Sequence, residues 1–160
     1  MHLLELIENS GFSTWIRESP SLFAYTLILS LHAIGLAIIV GVSWIVALRM
    51  LGVWKSIPFE PLFNLFPLMY AGFYINAISG ILLLSAETTT MLTMVMFYLK
   101  MAFIVAAMIT LRLVRRRFVA GTAETQSHGL AWAVIGFWFG AIIAGRLTSY
   151  PYFVDSWFGL

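Results

Sequence analysis

Long apolar stretches alternate with short polar connections along this chain. Crossing the hydrocarbon core of a bilayer takes about 20 mostly apolar residues in a helix. Four stretches are long enough: Ser21–Leu48, Leu62–Ala86, Met91–Val114 and His128–Tyr150. The connections are polar or hold proline: Lys55-Ser56-Ile57-Pro58, then Glu87-Thr88-Thr89-Thr90, then Arg115-Arg116-Arg117 through Ser127. Lipid offers no hydrogen bonds to the backbone, so each stretch is predicted to be helical. The pattern predicts an all-α, antiparallel four-helix transmembrane bundle, with residues 1–160 as a single membrane domain.

The first 19 residues read differently. Leu3, Leu4, Ile7, Phe12, Trp15 and Ile16 alternate with polar neighbours, which predicts a short amphipathic interfacial helix. Three acids and the lack of a long apolar run argue against a cleavable signal there. Ser19-Pro20 is expected to start the first span, with proline in the first turn. Tyr150-Pro151-Tyr152-Phe153 with Trp157-Phe158 reads as an aromatic belt at the same interface.

Composition supports lipid as the solvent. Hydrophobic residues make up 61% and charged residues 10%, whereas a soluble domain carries about 25% charged residues to solvate its surface. The lipid bilayer is therefore the expected partner. The placement of charge gives a direction. Arg49 and Lys55 follow the first span, and Arg112, Arg115, Arg116 and Arg117 close the third. The second connection holds only Glu87, and the N-terminal segment has Arg17 against Glu5, Glu8 and Glu18. By the positive-inside rule connections one and three face the cytoplasm and both ends face out. The expected location is a bacterial inner membrane. The arginine run is read as a topology determinant and lipid-headgroup contact, with no nucleic-acid partner. No cysteine is present, which excludes disulfides and thiolate metal sites.

Ionisable and amide side chains at membrane depth are the candidates for function. His32 is expected roughly 16 Å below the outer end of its helix, Asn76 roughly 15 Å and Lys100 roughly 14 Å. Three helices thus offer polar groups at one level, and the expectation is a shared buried site. Gly72, Asn76 and Gly80 recur every four residues as a small-residue stripe, and such stripes let helices approach. Tyr25 and His32 share a face of span one, and Thr93, Lys100 and Ala107 a face of span three. Arg146, near the end of span four, can snorkel or neutralise an anion. Gly136, Gly140 and Ala144 form a second small-residue face, for helix packing or an oligomer contact. His32 has three readings: a hydrogen bond to a neighbouring helix, a ligand to haem or a metal, or a proton-handling group. Two histidine ligands from one chain are excluded, because His2 lies outside the bilayer and His128 at the far end of span four. Met91, Met94, Met96, Met101 and Met108 are read as apolar gap-fillers, with soft ligation of copper(I) as the alternative.

Several motifs together resemble a known family. Tyr25…Leu31-His32…Gly35 leads to Leu48-Arg49-Met50-Leu51-Gly52 in span one, and Pro67, Ala71-Gly72-Phe73 and Ser79-Gly80 mark span two. Tyr98-Leu99-Lys100 marks span three, and Gly145-Arg146-Leu147-Thr148-Ser149-Tyr150 ends span four. This resembles a family of four-helix bacterial inner-membrane proteins without an assigned activity, from about Ser19 to Tyr150. That family carries Asp where this chain has Ala47, and Ala where it has Ser149. More distantly, a histidine in helix one with a lysine in helix three is similar to copper-resistance D-like proteins and to the haem-associated membrane protoporphyrinogen oxidase type.

Three functions are compatible with these readings. The first is a redox-associated protein. In it His32 ligates a b-type haem or a metal, Lys100 and Arg146 neutralise carboxylates or a quinone anion, and Asn76 and Tyr25 hydrogen-bond. The second is a non-catalytic membrane subunit or anchor, with a homo-oligomer or complex partner. The third is a small metal or proton permease.

Overall fold

In a computed structural model of the chain, residues 2–119 and 128–150 are described, with side chains for 4–118 and 128–150. The expected aromatic belt beyond Tyr150, the His2 side chain and most of the third connection lie outside the described residues. Every described element is helical: α1 (His2–Glu8), α2 (Gly11–Glu18), α3 (Tyr25–Met50), α4 (Glu60–Phe63), α5 (Phe66–Ala86), α6 (Thr88–Thr93), α7 (Val95–Val119) and α8 (His128–Leu147). Four spans are long and apolar enough to cross a membrane: Tyr25–Met50, Glu60–Ala86, Val95–Phe118 and His128–Leu147. The chain forms two compact units, Met1–Ile39 with Pro67–Thr93 and Val40–Phe66 with Met94–Leu160.

In the first unit the segment expected at the interface is two helices rather than one. Ser10 breaks it: its hydroxyl accepts from the Ser13 N–H at 3.3 Å and caps α2. Ser19 closes α2, its N–H donating to the Trp15 carbonyl, so Pro20 precedes a turn and α3 starts only at Tyr25. The pair α1–α2 is fastened to the α5–α6 junction by charge. The Glu8 carboxylate accepts from the Thr89 hydroxyl and from the Thr89 N–H at 2.8 Å. Arg17 Nη1 donates to the carbonyl of Ala86 at 3.2 Å and stands 3.7 Å from Glu8. The anion thus meets a helix start and the cation a helix end, where unpaired N–H and C=O groups favour those signs. The Thr89 bonds, with Arg17 nearby, hold the Glu8 carboxyl below the usual carboxylate range. Ile16, Ile28 and Ala86 are buried beneath the hairpin with Leu82 and Leu83 against them, while Leu6, Ile7, Phe12 and Trp15 point outward.

The threonines after α5 do not form an open connection. Thr88 Oγ1 donates to the Leu84 carbonyl at 2.9 Å, and Thr93 Oγ1 to the Thr90 carbonyl at 2.8 Å. Hydroxyls that bond back along a helix replace solvent, so Thr88–Thr93 is helical and the break falls at Met94. The third span consequently begins at Val95, four residues beyond the expected Met91. Thr93 therefore lies on α6 and shares no helical face with Lys100.

In the second unit α3 ends at a glycine. Val53 N–H donates to the Leu48 carbonyl at 3.0 Å and Gly52 N–H to the Arg49 carbonyl at 3.1 Å, with Gly52 at φ +91°. This is the Schellman arrangement, in which a left-handed residue just past the helix lets two carbonyls be satisfied. It gives Gly52 of the Leu-Arg-Met-Leu-Gly motif a physical role. Helix α8 buries Ala131, Val134, Trp138, Ala141 and Ala144, a recurrence near 3.5 residues that makes one seam. Helix α7 packs on it, with Ala107, Thr110, Leu111 and Val114 buried.

Candidate functional site

The first unit brings His32 and Asn76 together, and glycine makes the approach close enough. A Cβ at Gly35 would stand 2.6 Å from the Asn76 backbone nitrogen and 2.8 Å from the Gly72 carbonyl oxygen. A Cβ at Gly72 would meet Ile38 at 2.7 Å. Here α3 and α5 touch backbone to backbone, as small residues allow. One turn away, His32 lies over Gly80, whose missing Cβ would stand 3.1 Å from the imidazole Cε1.

At that seam the half-buried imidazole is held on several sides. Nδ1 lies 3.0 Å from the Asn76 backbone carbonyl oxygen. A carbonyl can only accept, so Nδ1 carries the proton in this bond, which assigns the tautomer. Ser79 Oγ stands 3.2 Å from the same nitrogen and donates its own proton to the Ile75 carbonyl at 2.6 Å. The Asn76 side chain completes the reciprocal arrangement, Nδ2 donating to the His32 backbone carbonyl at 2.8 Å. Nδ2 is also nearly equidistant from the two ring nitrogens, at 3.3 and 3.4 Å. An in-plane group so placed would collide with Cε1, so the amide lies over the ring face, where N–H groups meet π electrons.

Tyr25 opens α3 on the same unit and is 40% exposed. Among the described residues its hydroxyl is in no hydrogen bond with the His32 cluster. Lys100 and Arg146 belong to the second unit. Because α7 begins at Val95, Lys100 sits only about 8 Å along its helix rather than near the middle of a span. Its Cδ, Cε and Nζ lie 3.3, 3.4 and 3.8 Å from where a Cβ on Gly145 would stand. The ammonium therefore rests beside the last turn of α8, which ends at Leu147. The negative end of the helix dipole favours a cation there. Arg146, in the same turn, is exposed.

On the second small-residue face, a Cβ at Gly140 would stand 2.9 Å from the Phe103 ring and Ala144 is buried, but a Cβ at Gly136 would meet nothing within 4 Å. Of the methionines, Met96 is buried and Met101 exposed on α7, while Met91 lies on α6. No group of three or more His, Asp or Glu able to hold a metal occurs among the described residues.

Sequence reading did not single out Gly35 and Ser79 as members of the cluster. Both stand three residues beyond a candidate, on the same helical face, and that spacing is the signal that finds them. Comparison with known proteins finds no matching family, characterised sequence or solved structure.

Proposed function

We propose that this chain is a non-catalytic membrane subunit or anchor of a bacterial inner membrane, in which the His32–Asn76 cluster joins helices. In this reading the four spans form an antiparallel bundle with both ends outside, as the basic residues after spans one and three favour. The observation that carries it is the two-way bonding of His32 and Asn76 across glycines in backbone contact. Polar groups in hydrocarbon join helices in this manner. Lys100 and Arg146 fit the same reading as cations at a helix end.

A second reading has one specific support. A histidine that ligates a haem or metal commonly gives its other N–H to a backbone carbonyl, which fixes ring and tautomer. Nδ1 of His32 does so. A b-type haem or a metal on His32 is therefore the alternative, in keeping with the distant similarity to haem-associated membrane proteins.

One preparation separates the two. The detergent-purified protein is expected to be colourless and metal-free by elemental analysis, with His32→Ala and Asn76→Ala lowering Tm by similar amounts. A Soret band or stoichiometric metal that disappears in His32→Ala would overturn the joining role and establish the second reading.

A further inference from the structure

In the second unit, two arginines from different helices are held on one aromatic cluster. The Arg49 guanidinium lies 4.1 Å from the centroid of Phe59, and that of Arg115 lies 5.5 Å from the centroid of Phe66. The rings between them are continuous: Phe59 with Phe118 at 4.2 Å, Phe118 with Phe63 at 5.1 Å, and Phe63 with Phe66 at 5.7 Å. Arg49 is further fixed by donating to the carbonyls of Ile57 and Lys55. Lys55, Arg112, Arg115 and Arg116 are exposed. The only described acid of this unit is Glu60, and it forms no ion pair with any of these cations.

We infer that this rim of Arg49, Arg115 and the flanking basic residues binds the phosphodiester headgroup of an anionic phospholipid. Three features point to a lipid. The cations lie at the ends of α3 and α7, both apolar enough to span a bilayer, so the rim falls where acyl chains give way to headgroups. The half-buried Phe59, Phe63 and Phe118 offer apolar surface to the headgroup-proximal part of the acyl chains while the guanidinium forks pair with phosphate oxygens. Stacking on the rings orders the two forks before the ligand arrives, which lowers the entropy lost on binding. The inference needs the membrane location but is independent of what His32 does.

The test uses the full chain in detergent micelles doped with phosphatidylglycerol or phosphatidylcholine, with bound lipid counted by native mass spectrometry. Phosphatidylglycerol is expected to be retained at least about ten-fold better than phosphatidylcholine, and each neutralised arginine to cost about five-fold in its affinity. Arg115→Gln tests this without disturbing the fold, since that side chain is exposed and holds no carbonyl; Arg49→Gln with Arg115→Gln should lose both factors. Equal retention of the two lipids overturns the inference, as does unchanged retention in Arg115→Gln. Inorganic phosphate alone is expected to give no thermal stabilisation. If it stabilises the protein as phosphatidylglycerol does, the ligand is free phosphate and the lipid assignment fails. A protein that is soluble without detergent would instead overturn the membrane location itself.

Discussion

Asn76 and His32 bond to each other in both directions: the asparagine amide donates to the histidine's backbone carbonyl at 2.8 Å, and the asparagine's own carbonyl accepts from the imidazole at 3.0 Å. Removing either side chain takes away the bond it makes to a backbone carbonyl of the other helix.

The contact of the Asn76 amide with the imidazole, 3.3 and 3.4 Å from its two nitrogens, should appear as energetic coupling. Asn76→Ala and His32→Ala should each destabilise, and the double variant should lose less than the sum. Side-chain bonds between helices in membranes couple by about 0.6 kcal/mol on average, reaching about 1.7. A double-mutant cycle on unfolding in mixed micelles measures it. Strict additivity would show that the two residues act separately.

Glycine positions should divide sharply by what surrounds them. A methyl at Gly35 would overlap backbone atoms at 2.6 Å, which cannot rotate away, so Gly35→Ala should cost about 1–3 kcal/mol or separate the helices. A Cβ at Gly41 or Gly136 would meet nothing within 4 Å. Gly41→Ala and Gly136→Ala should be neutral or stabilising by up to about 1 kcal/mol, because alanine is the better helix former. Thermal shifts of the three variants side by side decide the matter.

The end of α3 makes its own demand. Gly52 sits at φ +91°, and a Cβ there would also meet Lys55 Cε at 3.0 Å. Gly52→Ala is expected to destabilise by about 1–2 kcal/mol, the cost of a left-handed backbone for an L side chain. Gly52→Asn should recover part of it, since asparagine tolerates that region. An alanine variant as stable as the parent would contradict the assigned cap.

Acid should loosen the N-terminal hairpin. Hydrogen bonds from Thr89, aided by Arg17, depress the Glu8 carboxyl below its ordinary value of 4.5. A depressed folded-state carboxyl stabilises above its unfolded pKa, and that contribution fades as pH falls through the folded one. Docking should therefore be firm at neutral pH and weaken only below 4.5. The chain has no cysteine, so Thr14→Cys carries a unique nitroxide attached at neutral pH. Its mobile fraction should rise on acidification, and Glu8→Gln should be mobile already and flat with pH. A label that stays immobile in the acid range and in Glu8→Gln would refute the clamp.

Long apolar runs made the four spans legible, because a bilayer sets a minimum length that few other structures require. Small residues spaced by four around Asn76 likewise marked the face that α5 turns to α3, whereas the role of Gly52 as a helix cap came only with its positive φ. Element ends were less legible. The Thr88–Thr90 run is polar enough to read as a connection, yet the hydroxyls of Thr88 and Thr93 bond back to helix carbonyls, and α7 starts only at Val95. That four-residue shift changes the meaning of Lys100, from a mid-span ammonium to a cation beside the last turn of α8.

By itself, then, the sequence determined which segments are long and apolar enough to cross a bilayer, since that depends only on summed transfer energies along the chain. Only the tertiary structure decided which polar groups satisfy one another: Nδ1 of His32 with the Asn76 carbonyl, Glu8 with Thr89, Arg17 with Ala86. Hydrogen bonds depend on ångström distances between residues far apart in the chain, and these are set by how closely glycines let the backbones approach.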